Sequence, residues 1–259
     1  MNRMKTTTTD SAIEQTPPRQ APREVFVTTR WTVVLAAGRG SDSSGARAAL
    51  DELCRTYWYP LYAYVRRRGN TAHDAEDLVQ GFFSQLIRLN SVSDLSREKG
   101  RFRSFLLAGI KLYMADVWGR VSAAKRDVRR TVSWDALEAE SRYGSESSDR
   151  LSPERLYDRQ WALALLAGVI RRLRDEYDGA GKGDLFRHLQ SAVTGDKDAV
   201  PYSELAERTG QSEGALRVAV HRLRQRYRQV LREEIAHTVE HSHDVDAELA
   251  DLRRILSLG

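Results

Sequence analysis

A single cysteine, Cys54, in 259 residues rules out an internal disulfide and any multi-cysteine zinc site. No apolar run approaches the roughly 18 residues of a membrane span. The stretch MNRMKTTTTDSAIEQTPPRQAP has no apolar segment of signal-peptide type, so a cytoplasmic chain without membrane insertion is expected. Large apolar side chains are scarce over residues 1–25, which are rich in Thr, Pro and Gln. Such a segment buries too little surface to offset its ordering, and a disordered tail is expected there. The chain also lacks a nucleophile paired with a base and a complete phosphate loop. The GAGKG of residues 179–183 has neither the full GxxxxGK followed by Ser or Thr nor a preceding strand. His237, His241 and His243 have no cysteine or fixed acid partner, which points to a solvated helix end rather than a metal site. These absences weigh against an enzyme, and no catalytic residue, metal or cofactor is expected.

Charge is what the chain has in quantity, and its position says more than its net value of +5. Residues 97–130 carry ten Lys or Arg against three acids, whereas residues 131–160 carry four Arg against seven acids. A second basic concentration lies at 214–232, with Arg217, Arg222, Arg224, Arg226, Arg228 and Arg232 and no acid. Two separated basic segments suit a partner that carries phosphate along its length.

The second basic segment belongs to a pattern with the spacing of a helix-turn-helix, PYSELAERTGQSEGALRVAVHRLRQRYR from Pro201 to Arg228. Ala206 is small enough for two helices to cross closely, Gly210 suits a left-handed turn, and Leu216 is placed to plug the angle between the helices. Ser203 and Ser212 stand where N-caps are wanted, followed by Glu204 and Glu213. In the usual docking of this motif, Ser212, Glu213, Arg217, Val218, His221, Arg222 and Arg224 approach base edges or phosphates. An ordinary helical hairpin with a solvated arginine face is the alternative.

Helical periodicity runs through the first half. A short helix is expected around Trp31, Val34, Leu35 and Ala37, then a loop over 38–45. From Ala46 the apolar set Leu50, Leu53, Cys54, Tyr57, Trp58, Leu61, Tyr62, Val65 has helical period, with Pro60 expected to kink or divide it. Cys54, on that stripe, reads as a small buried hydrophobe. Residues 74–89 give the cleanest period, Ala75, Leu78, Val79, Phe82, Phe83, Leu86 and Ile87, opposite a polar face of Asp74, Asp77, Gln80 and Gly81 without Lys or Arg. A helix is expected over 103–126. A polar, acidic tether is expected over 131–153, and a second domain opening near Trp161. Residues 178–200 read as irregular, and 244–258 as a C-terminal amphipathic helix, with Val245, Leu249, Leu252 and Leu256 at steps of four, three and four.

The string HDAEDLVQGFF, His73 to Phe83, resembles the segment of bacterial sigma factors that docks on the clamp helices of the RNA polymerase β′ subunit. Its order in the chain matches too: a basic helix, a linker and a helix-turn-helix follow, as in the extracytoplasmic-function (ECF) group. TRWTVVLAA, KGRFRSFLLAGIK and LREEIAHTV are similar to a subgroup with C-terminal extensions. The resemblance implies an all-α protein of two small helical domains joined by a flexible linker. Region 2 would fall at 26–130, an acidic linker at 131–155, region 4 at 156–240 and a C-terminal helix at 241–259. It implies no catalysis but promoter recognition and melting. The partners would be the clamp of β′ and the flap of β in core polymerase, promoter DNA, and a regulatory protein such as an anti-sigma factor. A sigma-like DNA-binding regulator that does not melt promoters is the alternative.

Residue by residue, the resemblance places Asp74, Glu76, Asp77 and Gln80 at the polymerase contact. SREKGRFR, Ser96 to Arg103, matches a loop that captures a flipped −10 base, with Lys99, Arg101 and Arg103 for phosphates. Phe102 is placed there for stacking, although Phe102 and Phe105 also fit as core anchors. Lys111, Arg120, Lys125 and Arg126 continue the −10 surface, with Tyr113 and Trp118 interleaved. Ser212, Glu213, Arg217, His221, Arg222 and Arg224 fall to the −35 element. The chain departs from the family at Leu112, where Asn is frequent, at Gly119–Arg120, where the arginine is displaced by one, and at Ala219, where arginine is common. The base preference is therefore not transferable.

Overall fold

The computed structural model describes residues 44–88, 101–121, 139–144, 151–194, 200–239 and 241–257, the side chains of 44–55, 87, 88, 120, 121 and 194 excepted. Cys54, the 1–25 tail and the helix expected at 31–37 lie outside what is described. The helices are α1 (Ser44–Arg67), α2 (Ala72–Arg88), α3 (Phe102–Val121), α4 (Pro153–Gly179), α5 (Gly183–Leu189), α6 (Ser191–Thr194), α7 (Tyr202–Thr209), α8 (Glu213–Ala236) and α9 (Val245–Ser257). A 3₁₀ turn, Ser242–Asp244, leads into α9. The described residues contain no strand, and Arg101 and Val239 form an isolated antiparallel bridge. The all-α expectation holds.

Pro60 does not divide α1, which runs as one 24-residue helix. An interior proline costs about 3 kcal/mol, and here Tyr57, Leu61 and Tyr62, all fully buried around it, hold the helix through the defect. Thr71 starts α2: its hydroxyl accepts from the Asp74 amide at 3.1 Å and donates to the Asp74 carboxylate at 2.7 Å. The apolar stripe of α2 is buried as its period requires, from Ala75 to Leu86.

Helices α2 and α3 cross closely because two positions carry no Cβ. A Cβ at Gly81 would stand 2.2 Å from the Tyr113 hydroxyl and 3.2 Å from its ring carbon, and one at Gly109 would stand 3.0 Å from the Phe82 ring. Gly81→Ala is therefore expected to destabilise the fold by about 1–3 kcal/mol through overpacking, read by urea melting. Gly119→Ala, with nothing within 4 Å of the added methyl, is the comparison and is expected to leave stability unchanged or raise it by up to about 1 kcal/mol.

Two cores result. The first is built from α1, α2, α3 and the N-terminal half of α4. It extends to Ala139 and Tyr143, to Ile235 and Val239, and to Val245, Leu249 and Leu252 of α9. Trp161, expected to open the second domain, is fully buried in this first core and donates from Nε1 to the Tyr57 hydroxyl at 3.1 Å. Residues 139–144, inside the expected tether, form a helical turn docked on α1. There Glu140 accepts from Arg66 at 2.6 and 2.8 Å and from the Tyr62 hydroxyl at 2.6 Å.

The second core takes Val169 and Leu173 from the C-terminal half of α4, with Phe186, Leu189, Leu205, Leu216, Val220, Leu223 and Val230. Within 178–200, residues 178–194 are more regular than expected, since α5 and α6 lie within them and Phe186 and Leu189 are fully buried. The GAGKG stretch is the turn between α4 and α5, with Gly181 at φ 67°. Helix α4 is thus a shared strut of 27 residues, capped by the Ser152 hydroxyl and started by Pro153. At 1.5 Å per residue it spans ~40 Å.

Candidate nucleic-acid interface

Helices α7 and α8 form the expected helix-turn-helix. Gly210 closes α7 in the left-handed region at φ 67°, and its amide donates to the Ala206 carbonyl at 2.9 Å. The Ser212 hydroxyl accepts from the Ala215 amide at 3.3 Å and starts α8. Leu216 is fully buried at the angle. Ser203 is not a cap; Pro201 holds that position, so the helix begins two residues earlier than the serine suggested.

The outward face of α8 presents Glu213, Arg217, Val218, His221, Arg222, Arg224 and Arg228 to solvent. Arg217 pairs with Glu213 at 3.1 Å and lies 5.4 Å from the Tyr202 ring centroid, which orients its guanidinium along the helix start. Val218 is 50% exposed, an apolar group at a position suited to a thymine methyl. Arg224 donates to the Ala192 carbonyl at 3.0 Å and so also braces α6. Arg226 faces the other way and is structural: it bonds Glu176 at 2.6 and 2.8 Å. Arg232 pairs with Asp246 at 2.6 Å and ties α8 to α9.

On α2, Asp74, Asp77 and Gln80 are exposed on one side. Glu76 is buried beneath them and accepts from Gln80 Nε2 at 2.9 Å, so it fixes the face rather than forming it. Asp77 stands 3.8 Å from His73 one turn earlier.

The start of α3 differs most from expectation. Phe102 is 1% exposed and packs edge-on against Tyr57 at 5.1 Å, so it is a core anchor with no face for a base, as is Phe105. Arg103 is buried as well. Its guanidinium bonds Glu248 at 2.7 Å, Asp251 at 3.3 Å and Asp158, and sits 4.7 Å from the Trp161 ring centroid. Burial works against the Arg103 charge, but the bond to Glu248 and the fields of Glu248, Asp158 and Asp251 outweigh it and push the pKa above the ordinary arginine range. Burial raises the Asp158 carboxyl, against the opposing pull of Arg103. Arg101, less covered, pairs with Glu248 at 3.1 Å and with Asp251.

Two acids of this network, Asp251 and Glu248, lie 150 and 145 positions from the arginines they meet. A signal existed: residues 244–251 carry Asp244, Asp246, Glu248 and Asp251, a local acidic excess late in a basic chain. Further along α3, Lys111 pairs with Glu154 at 2.9 Å near the Tyr64 ring, and Leu112 and Trp118 are exposed. Tyr113 is partly buried against Phe82 and Gly81. Lys99, Lys125 and Arg126, and the side chain of Arg120, lie outside the described residues.

His241, His243 and Asp244 do come together, with one donor atom from each within 4.8 Å of the others. Both rings are largely exposed, and the acid contacts of 3.8 and 3.6 Å account for the grouping as a solvated helix start. Among the described residues no helix is long and apolar enough to cross a membrane.

No family model matches the sequence, and no solved structure matches the chain. The chain is 25% identical over 236 residues to the ECF RNA polymerase sigma factor SigE of Mycolicibacterium smegmatis, an alignment that covers 89% of this chain and 82% of that protein. An alignment of that length takes in both cores rather than one motif. It supports a sigma-factor relationship at the level of a distant relative.

Proposed function

We propose that the protein is an initiation subunit of the ECF sigma type, working in the cytoplasm without catalytic activity of its own. The observation that carries this reading is the outward face of α8. Arg217, Val218, His221 and Arg222 stand free of the core at the start of the second helix of a helix-turn-helix, with no acid from 214 to 232. That face combines guanidinium forks for guanine or phosphate with an apolar group for thymine. In this reading it places the protein at the −35 element. The basic α3 with its preceding loop opens the −10 element, and the exposed Asp74, Asp77 and Gln80 meet arginines on the polymerase clamp by charge-assisted bonds.

The polymerase contact is tested by reversing one charge. Asp77→Arg is expected to weaken binding to purified core polymerase at least ~30-fold, the loss of a hot spot worth about 2 kcal/mol. Thermal stability should be unchanged, because Asp77 is exposed. Unchanged core affinity would remove α2 from the interface.

A further inference from the structure

We infer that α9 is a latch that holds the protein closed against promoter DNA, with Glu248 and Asp251 occupying the arginine that would otherwise take a phosphate. The inference rests on the sigma-type reading above and adds its regulation.

The contact is specific. Val239 is bridged to Arg101, the Thr238 carbonyl accepts from the Phe102 amide at 3.0 Å, and Val245, Leu249 and Leu252 enter the first core. Glu248 has no exposed surface and meets both Arg101 and Arg103; Asp251 meets the same two arginines from one turn further on. Arg101 ends the basic loop matched to −10 capture, and in this state its charge is met by two carboxylates of the chain itself.

Distance makes the same point independently. Helix α8 has 24 residues, or ~36 Å at 1.5 Å per residue. Val239 follows it by three residues and touches Arg101. The reading face of α8 is thereby held within ~40 Å of Arg101. The −35 and −10 elements lie about 25 base pairs apart, or ~85 Å at 3.4 Å per pair. One molecule cannot grip both elements while α9 and residues 238–239 are seated, so release of this contact accompanies promoter engagement. The latch lies where a regulator could reach it: Arg253 and Arg254 on α9 are exposed, and the Arg232–Asp246 pair tying α9 to α8 is at the surface.

The test uses the full chain and measures binding to a fluorescein-labelled, random-sequence single strand of ~12 nucleotides. Glu248→Gln with Asp251→Asn is expected to raise affinity at least fivefold. The slope of log affinity against log salt should steepen by about 0.7, one added single-strand phosphate contact. In an Arg101→Gln background the same pair of substitutions should leave the slope unchanged, which separates release of Arg101 from general loosening. Asp251→Asn alone, at a partly exposed site, should shift affinity in the same direction by a smaller factor. It decides the matter if the double variant loses cooperative melting. Wild-type affinity and slope in a folded variant, alongside Arg217-dependent binding of a random duplex, would overturn the latch and leave the sigma reading standing. Absence of binding to either DNA by every form would overturn both.

Discussion

Replacing Arg103 by alanine is expected to cost about 3–5 kcal/mol of folding stability, the penalty for removing one partner of a buried ion pair. Glu248 has no exposed surface and would be left facing Arg101 alone, at 3.1 Å. The guanidinium also covers the Trp161 ring and bonds Asp158, so its loss opens the junction of α3, α4 and α9 at once. Arg101→Ala, at a partly exposed site, should cost under half as much. Urea melting of the two variants decides it: a loss below about 1 kcal/mol for Arg103→Ala would mean that Glu248 is not buried against it in solution. The expectation also separates two roles that the sequence merges. In SREKGRFR both Arg101 and Arg103 read as phosphate holders, yet Arg103 is buried in the fold while Arg101 keeps part of its surface.

The double substitution Arg217→Ala with Arg222→Ala is expected to weaken binding to a −35-type duplex by about 2–6 kcal/mol, taking 1–3 kcal/mol for each contact that reads a base. If either arginine holds only a phosphate, its loss should instead reduce the salt slope by about 0.9 and weaken all sequences alike. Stability should stay near wild type, because both side chains face solvent and Arg217 pairs with Glu213 on its own helix and lies over the Tyr202 ring. Selection of binding sites from a random duplex pool, with wild type and variant in parallel, measures both outcomes. An unchanged pool would remove α8 as the reading helix.

What could be read from the sequence follows the range of the physics involved. The α2 stripe and the α7–α8 turn are local patterns: periodicity fixes one, and Gly210 with Ser212 fixes the other, so both were legible within ten to twenty residues. Pro60 misled because its cost is local while its compensation is tertiary, through Tyr57, Leu61 and Tyr62 buried in the first core. Trp161 misled for the same reason. Its periodicity announces a helix but not which core the helix enters, and Tyr57 lies 104 positions away. The polar composition of 131–155 suggests a tether, yet Glu140 finds Arg66 and Tyr62, 74 and 78 positions off, and docks a turn that composition alone would leave loose. The outward residues of α8 were legible from helical period alone. The loop end at Arg101–Arg103 was not, because its partners Glu248 and Asp251 lie about 150 positions downstream.

Run-off transcription with purified core polymerase on a library of duplex templates is the most direct test of the account, read by sequencing transcript starts with wild type and with Asp77→Arg. The account expects the wild-type protein to yield starts at a defined distance from shared −35 and −10 sequences, and expects the starts to disappear with Asp77→Arg. Stable, Arg217-dependent DNA binding without any protein-dependent start would contradict it and leave a DNA-binding regulator that does not open promoters.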